Sequence, residues 1–225
     1  MKNLEILSEE ASIVLVGNFN PKIFHPEWFI RKEIVGEWDY KNEQDINLPD
    51  MAQISLPSDR NITVFLNKFS IVTSRASEYL TLKDLVVSSF TLLSETPISQ
   101  LGMNFTSVIK IYDQAQWKKF GSDLAPQQYW KNVASYLSDL DGVKQDEFGL
   151  WEIIMNMPRP DEFIGFVRPQ IVALPHLGPG VLAFTINNHI DITDSSALTM
   201  TKILEENWDK SLDLAREMTS NIMEL

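Results

Sequence analysis

The sequence predicts an α+β protein, an antiparallel sheet with packed helices organised as two pseudo-repeated hairpin-plus-helix halves. Three observations predict it. Short β-branched runs broken by turn residues fill two separate stretches, 53–73 and 170–193. A run at helical spacing follows each stretch. The stretches also resemble each other. Gln53-Ile54-Ser55-Leu56-Pro57 matches Gln170-Ile171-Val172-Ala173-Leu174-Pro175 with one residue inserted, and residues 64–73 align without gaps on 184–193.

In chain order, the β-branched run 12–19 reads as a buried strand. Asn20-Pro21 and His25-Pro26 then impose extended or turn geometry, so 18–28 reads as a compact loop or short helix with Pro26 opening a helical turn. A polar loop is expected over 41–49. Strands at 53–56 and 62–73 flank the turn Pro57-Ser58-Asp59-Arg60-Asn61. Thr81-Leu82-Lys83-Asp84 has the form of a helix start, and Leu82, Leu85, Val86, Ser89, Phe90 and Leu93 follow at steps that keep one face apolar until Pro97 ends the helix.

Residues 102–112 alternate as a strand, and 116–119 and 127–137 read as helical. The acidic, glycine-containing stretch 138–149 reads as a linker between an N-terminal half, 1–137, and a C-terminal half, 150–225, unless both form one continuous domain. Strands are expected at 151–157, 166–174 and 181–193. A long final helix over 196–223 carries Leu204, Trp208, Ser211, Ala215, Met218 and Ile222 on one stripe, with Asp194 or a neighbouring serine as its cap.

Composition bounds the function. A chain of 225 residues with 44% hydrophobic and 22% charged residues has enough apolar surface for its own core. It contains no cysteine, which removes disulfides, thiolate metal sites and cysteine nucleophiles. The short apolar run Ile13–Val16 follows acids and makes no secretory core, and no window approaches a membrane span of about 20 apolar residues. The expected location is therefore cytoplasmic, with no membrane partner, and the sequons at Asn61 and Asn104 read as chance matches. A net charge of −12 with scattered Lys and Arg argues against direct nucleic-acid binding.

The chemical inventory is thin. His25, His176 and His189 are the only histidines, and none has metal-ligand spacing. Asp139-Leu140-Asp141-Gly142 lacks the remaining ligands of a calcium loop. Serine-nucleophile and phosphate-binding glycine motifs are missing. No catalytic residue, metal or cofactor is therefore assigned. The densest group of specific side chains lies in 17–29, where Asn18, Asn20, His25 and Trp28 are the candidate ligand- or partner-binding residues. The same turns and aromatics also suit a purely structural role, anchoring the loop and filling the core.

From Thr96 to Thr106 the segment Thr-Pro-Ile-Ser-Gln-Leu-Gly-Met-Asn-Phe-Thr resembles the connection between the first helix and the next strand in a sporadically distributed family of uncharacterised prokaryotic proteins of similar size. The strand ending at Ile71–Thr73, the helix carrying Tyr79 and Phe90, and the closing strand and helix from Phe184 are similar too. The N-terminal loop departs from that pattern. The resemblance implies no activity and no catalytic residues.

Three function classes follow. The first is a non-enzymatic binding or adaptor protein that meets a protein partner, in a bacterial accessory or defence operon, with homo-oligomerisation open. The second is a small-molecule sensor or enzyme with a pocket near Asn18, Asn20, His25 and Trp28. The third is an acidic nucleic-acid mimic.

Overall fold

The structure is a computed structural model that describes residues 4–37, 45–126, 129, 150–159 and 161–224. The helix expected at 127–137, apart from residue 129, and the linker at 138–149 lie outside the described residues, as do residues 41–44 of the loop expected at 41–49, whose remainder contains a short strand at Ile46–Asn47 instead of loop alone.

Ten strands form one antiparallel sheet. β1 (Leu4–Gly17) precedes a 3-10 turn (Pro21–Ile23) and α1 (Pro26–Arg31). Then come β2 (Ile46–Asn47), β3 (Met51–Leu56), β4 (Arg60–Phe65), β5 (Lys68–Thr73) and α2 (Tyr79–Leu92). The second series is β6 (Ile98–Ile111), α3 (Gln114–Leu124), β7 (Glu152–Ile154), β8 (Met157–Pro158), β9 (Gly165–Ala173), β10 (Val181–Asp191) and α4 (Ala197–Met223). The order across the sheet is β2-β3-β4-β5-β1-β6-β10-β9-β7, with β8 also on β9. Outward from the β1/β6 seam, β5 stands where β10 stands and β4 where β9 stands. Each half therefore runs strand, short helix, hairpin, long helix.

This correspondence lies in element order and differs from the ungapped match of 64–73 with 184–193. Leu66 and Asn67 form a turn between β4 and β5, whereas Ile186 and Asn187 lie in mid-strand. The match also sets buried Phe69 against half-buried His189, residues on opposite faces, as a one-residue slip in a period of two must do. The turn at Leu66-Asn67 contains no glycine and was not visible in the sequence as a break. It is held from outside, because Phe19 N–H donates to Leu66 O at 2.8 Å and Gly17 N–H to Asn67 O at 3.2 Å.

β1 extends eight residues toward the N-terminus beyond the expected start at Ser12, through Glu5, Ser8, Glu9 and Glu10. Those residues have little strand preference, but β6 offers a continuous partner, and the pair runs from Leu4 opposite Ile111 to Gly17 opposite Ile98. Gly17 is required at the far end of this pairing. A Cβ there would lie 2.2 Å from Pro97 O, which accepts from Asn18 N–H.

The strands alternate. Ala11, Ile13 and Leu15, with Phe69, Ile71, Leu101, Met103, Phe105, Ile186 and Ile190, point to the face that α1, α2 and α4 cover. Phe24 from the turn before α1 and Phe90 of α2 meet Phe69 at ring-centroid distances of 5.4 and 5.1 Å, and Trp208 of α4 meets Phe105 at 5.0 Å. Ser196 caps α4, accepting from Thr199 N–H at 3.3 Å, while Asp194 accepts from Ser196 N–H and the Thr199 hydroxyl. Both cap residues proposed from the sequence therefore act there.

Arg159 brings a charged group into this layer. The Arg159 side chain is 4% exposed and donates to Asn188 Oδ1 and His189 O at the end of β10, and its countercharge is Asp161 with Nε–Oδ1 at 2.9 Å. Hydrogen bonding from Arg159 holds the Asp161 carboxyl below the usual carboxylate range. A depressed folded pKa contributes stability that is present above the unfolded value of ~3.9 and lost as pH falls through the lower folded value. We expect Asp161→Asn to cost ~2 kcal/mol at neutral pH, discounted for the partial exposure of Asp161. The difference from wild type should shrink below about pH 4 in urea titrations, in the range where the wild-type carboxylate itself protonates. A pH-independent difference would remove the ion pair from the account.

Candidate functional site

Among the described residues α1, α2 and α4 cover one face of the sheet, and the opposite face carries the second half of every alternation. In its centre β5 contributes Ser70 and Val72, β1 Ser12, Val14 and Val16, β6 Gly102, Asn104, Thr106 and Val108, and β10 Ala183, Thr185 and Asn187. Apart from buried Gly102, each is half-buried. Two ionisable residues share these rows, Glu10 opposite Thr106 and His189 opposite Gly102. A solvated antiparallel face ordinarily uses Lys, Glu and Arg at most such positions, so the scarcity of charge marks this patch.

The polar groups are tied into cross-strand pairs. Asn104 Nδ2 donates to Ser12 Oγ at 3.3 Å, and the hydroxyls of Thr106 and Thr185 are 3.0 Å apart. Asn187 stands beside them with its Oδ1 buried and without a donor among the described residues. The carbonyl lies over Gly102, where a Cβ would be 3.6 Å away. An orphaned amide oxygen costs ~1–3 kcal/mol, so Asn187 is a polar residue held against the interest of the fold.

Charge and aromatic density return at the margin. His189 stacks on Phe166 at 4.4 Å and 7°, and the Arg168 guanidinium lies 4.2 Å from the centre of the same Phe166 ring. His189 Nε2 is 3.1 Å from Asp191 Oδ1, which also accepts from Gln100 Nε2 at 3.3 Å. Lys68 on β5 occupies the same cross-strand row as Asp191, through Val16 and Gln100. Gln170 donates to Glu152 Oε1 at 2.6 Å. The result is a centre of small uncharged side chains interrupted by Glu10, with more charge at the rim.

The residues singled out in the N-terminal loop lie elsewhere. Asn18 is exposed. Asn20 caps the 3-10 turn, accepting from Lys22 N–H at 3.2 Å, and His25 Nδ1 caps α1, accepting from Glu27 N–H at 3.2 Å. Trp28 packs edge-on against Phe24 and Phe29 at 5.9 and 4.9 Å. Three of the four are thus engaged in shaping the loop, and the backbone of the same loop fixes the β4–β5 turn. Sequence reasoning missed the uncovered face because its residues are interleaved with core residues. The signal was there in strands whose outward positions read Ser, Val, Asn and Thr instead of charges.

Where the seam meets the ends of α2 and α4 there is a cavity of about 20 Å³ lined by Glu9, Tyr79, Ser107, Arg216 and Thr219. It has room for about one water and none for an organic ligand, which needs ~300 Å³ or more. Burial pushes the Tyr79 phenol up to about 12, so it is a neutral donor there at physiological pH. Among the described residues no cluster of three His, Asp or Glu is placed to hold a metal ion, and no helix is long and apolar enough to cross a membrane.

No protein-family model matches the chain. No curated protein matches it either.

Replacing Asn187 by valine removes the orphaned oxygen and supplies a β-branched side chain to a strand. We expect Asn187→Val to raise the unfolding free energy by ~1 kcal/mol in urea titration. A loss of stability would mean that the amide already has a partner within the fold.

Proposed function

We propose that this is a non-enzymatic binding protein whose working surface is the uncovered face of its sheet, and whose partner is a protein. The observation that carries the reading is the scarcity of charge on the central strands of that face, where Glu10 is the one carboxylate among Ser, Thr, Val and Asn side chains of the described residues, in a chain of net charge −12. Depletion of charge at the centre with charged residues at the rim is the compositional pattern of protein interfaces, whereas nucleic acid would require cations facing its phosphates.

One other feature supports the reading: Asn187 retains a buried acceptor on the face. The acids of α4 favour a nucleic-acid mimic less. Glu205, Glu206, Asp209, Asp213 and Glu217 share that helix with Lys202, Lys210 and Arg216, and Arg216 lies 4.0 Å from Asp213. Such a mixed face suits solvation better than a phosphate-like row.

A photo-crosslinking residue placed at Thr185, on the face, and another at Glu206, on exposed α4, test the proposal in the source cell. Protein adducts are expected from the Thr185 position and not from Glu206. Adducts from Glu206 alone, or from neither position, would overturn it.

A further inference from the structure

We propose that the cavity between the β1/β6 seam and the helices α2 and α4 is a binding site for one water molecule, anchored by the Tyr79 hydroxyl and bridging it to the sheet and to α4. The site shares no argument with the binding-surface reading above, and either can fail without the other.

Tyr79 is 5% exposed, and its hydroxyl oxygen is buried with no hydrogen-bond partner among the described residues. Its ring is packed, meeting Phe105 edge to face at 6.4 Å. Phenylalanine would make the same ring contact. The hydroxyl is therefore the part that needs a reason, because a buried donor without an acceptor gives up the hydration it had in the unfolded chain and gains nothing in return.

The cavity provides the acceptor. Tyr79 lines it together with Glu9, Ser107 and Thr219. The hydroxyl is the end that faces it: burial is the main reason that the phenol pKa is pushed up to about 12, and the charges acting next are Glu9, Arg216 and Glu10, all of them lining residues. The volume of about 20 Å³ exceeds the ~10–15 Å³ that one water needs.

The walls complete the coordination. Thr219 donates its hydroxyl proton to Ala215 O at 2.8 Å, so its oxygen is left to accept. Ser107 brings a second hydroxyl, and Glu9, opposite Ser107 in the β1/β6 pairing, brings a carboxylate. A water that accepts from Tyr79 and donates to two of these oxygens makes the roughly three hydrogen bonds of an internal water. Such a bridge is nearly as favourable as a direct hydrogen bond. Other small occupants fit less well. A metal cation has no lone pair for the Tyr79 proton, and an anion would meet the Glu9 and Glu10 carboxylates. Glu9 and Tyr79 belong to the first series of elements, Ser107 and Thr219 to the second, so one water links the two halves where their long helices meet.

Oxygen-17 relaxation dispersion of the full chain, which counts waters that tumble with the protein, tests the site. Tyr79→Phe is expected to hold one such water fewer than wild type. In urea titrations the same variant should shift the unfolding equilibrium about fivefold toward the unfolded chain, because a satisfied hydrogen bond is lost. A dry cavity gives the opposite sign, since removing an orphaned hydroxyl stabilises the fold. Equal water counts, or a Tyr79→Phe chain at least as stable as wild type, would overturn the proposal. A measurement on wild type alone guards against a variant that does not fold: water should cross-relax with the methyl of Ala215, which lines the cavity and is 4% exposed. The absence of that cross-peak would overturn the proposal as well.

Discussion

The pairing of β1 with β6 is the contact on which the rest of this molecule depends. It joins two series of elements that are otherwise far apart in sequence, and it does so over the whole length of both strands, from Leu4 opposite Ile111 to Gly17 opposite Ile98. Each strand is the innermost of its half, so the seam sets the register of β5 on one side and of β10 on the other. The close approach of Gly17 to Pro97 O closes one end of it. The connection from α2 into β6 can pass there only because the residue in β1 has no side chain.

One consequence of that seam is a single layer of helix. α2 and α4 leave their halves at equivalent points and meet over the middle of the sheet, where Tyr79, Phe105 and Trp208 form an aromatic contact. Together with Phe24, Phe69 and Phe90 this fills one face with rings, each burying ~150–250 Å². α1, α2 and α4 all pack on that side. What remains opposite, among the described residues, is a broad sheet surface of mostly small uncharged side chains with Glu10 and His189 among them, and the Asn187 oxygen is buried there without a donor. Fold and proposed function are linked here. The topology that gives a one-sided core also gives a continuous face wide enough for a protein interface.

Much of the architecture was legible in the chain. β-branched runs bounded by turn residues identified β3, β9 and β10, alternation identified β6, and helical spacing identified α2 and α4. The errors have specific causes. β1 was read too short because Glu5, Glu9 and Glu10 have poor strand preference, and only the long partner β6 draws them into the sheet. β4 and β5 were read as one strand because the turn at Leu66-Asn67 depends on hydrogen bonds from Gly17 and Phe19, distant in sequence. The candidate loop at Asn18–Trp28 attracted attention through its unusual residues, yet Asn20 and His25 use their acceptors on local backbone N–H groups. Residues of the uncovered face drew none, because Ser, Thr, Val and Asn in alternation are ordinary strand residues until several strands are laid side by side.

The sequence by itself determined the class of fold, the main elements, the aromatic core and the poverty of catalytic groups, since each depends on residue type and local spacing. The tertiary structure alone decided which strands are neighbours, and hence which side chains share a surface. Asn104 and Asn187 lie 83 positions apart in the chain and are opposite each other in the sheet, as register sets them. The unlike charges of Lys68 and Asp191 fall into one row for the same reason. Local spacing fixes the side of a strand on which a residue lies; only pairing across the seam fixes its neighbours there, and a binding surface is made of neighbours.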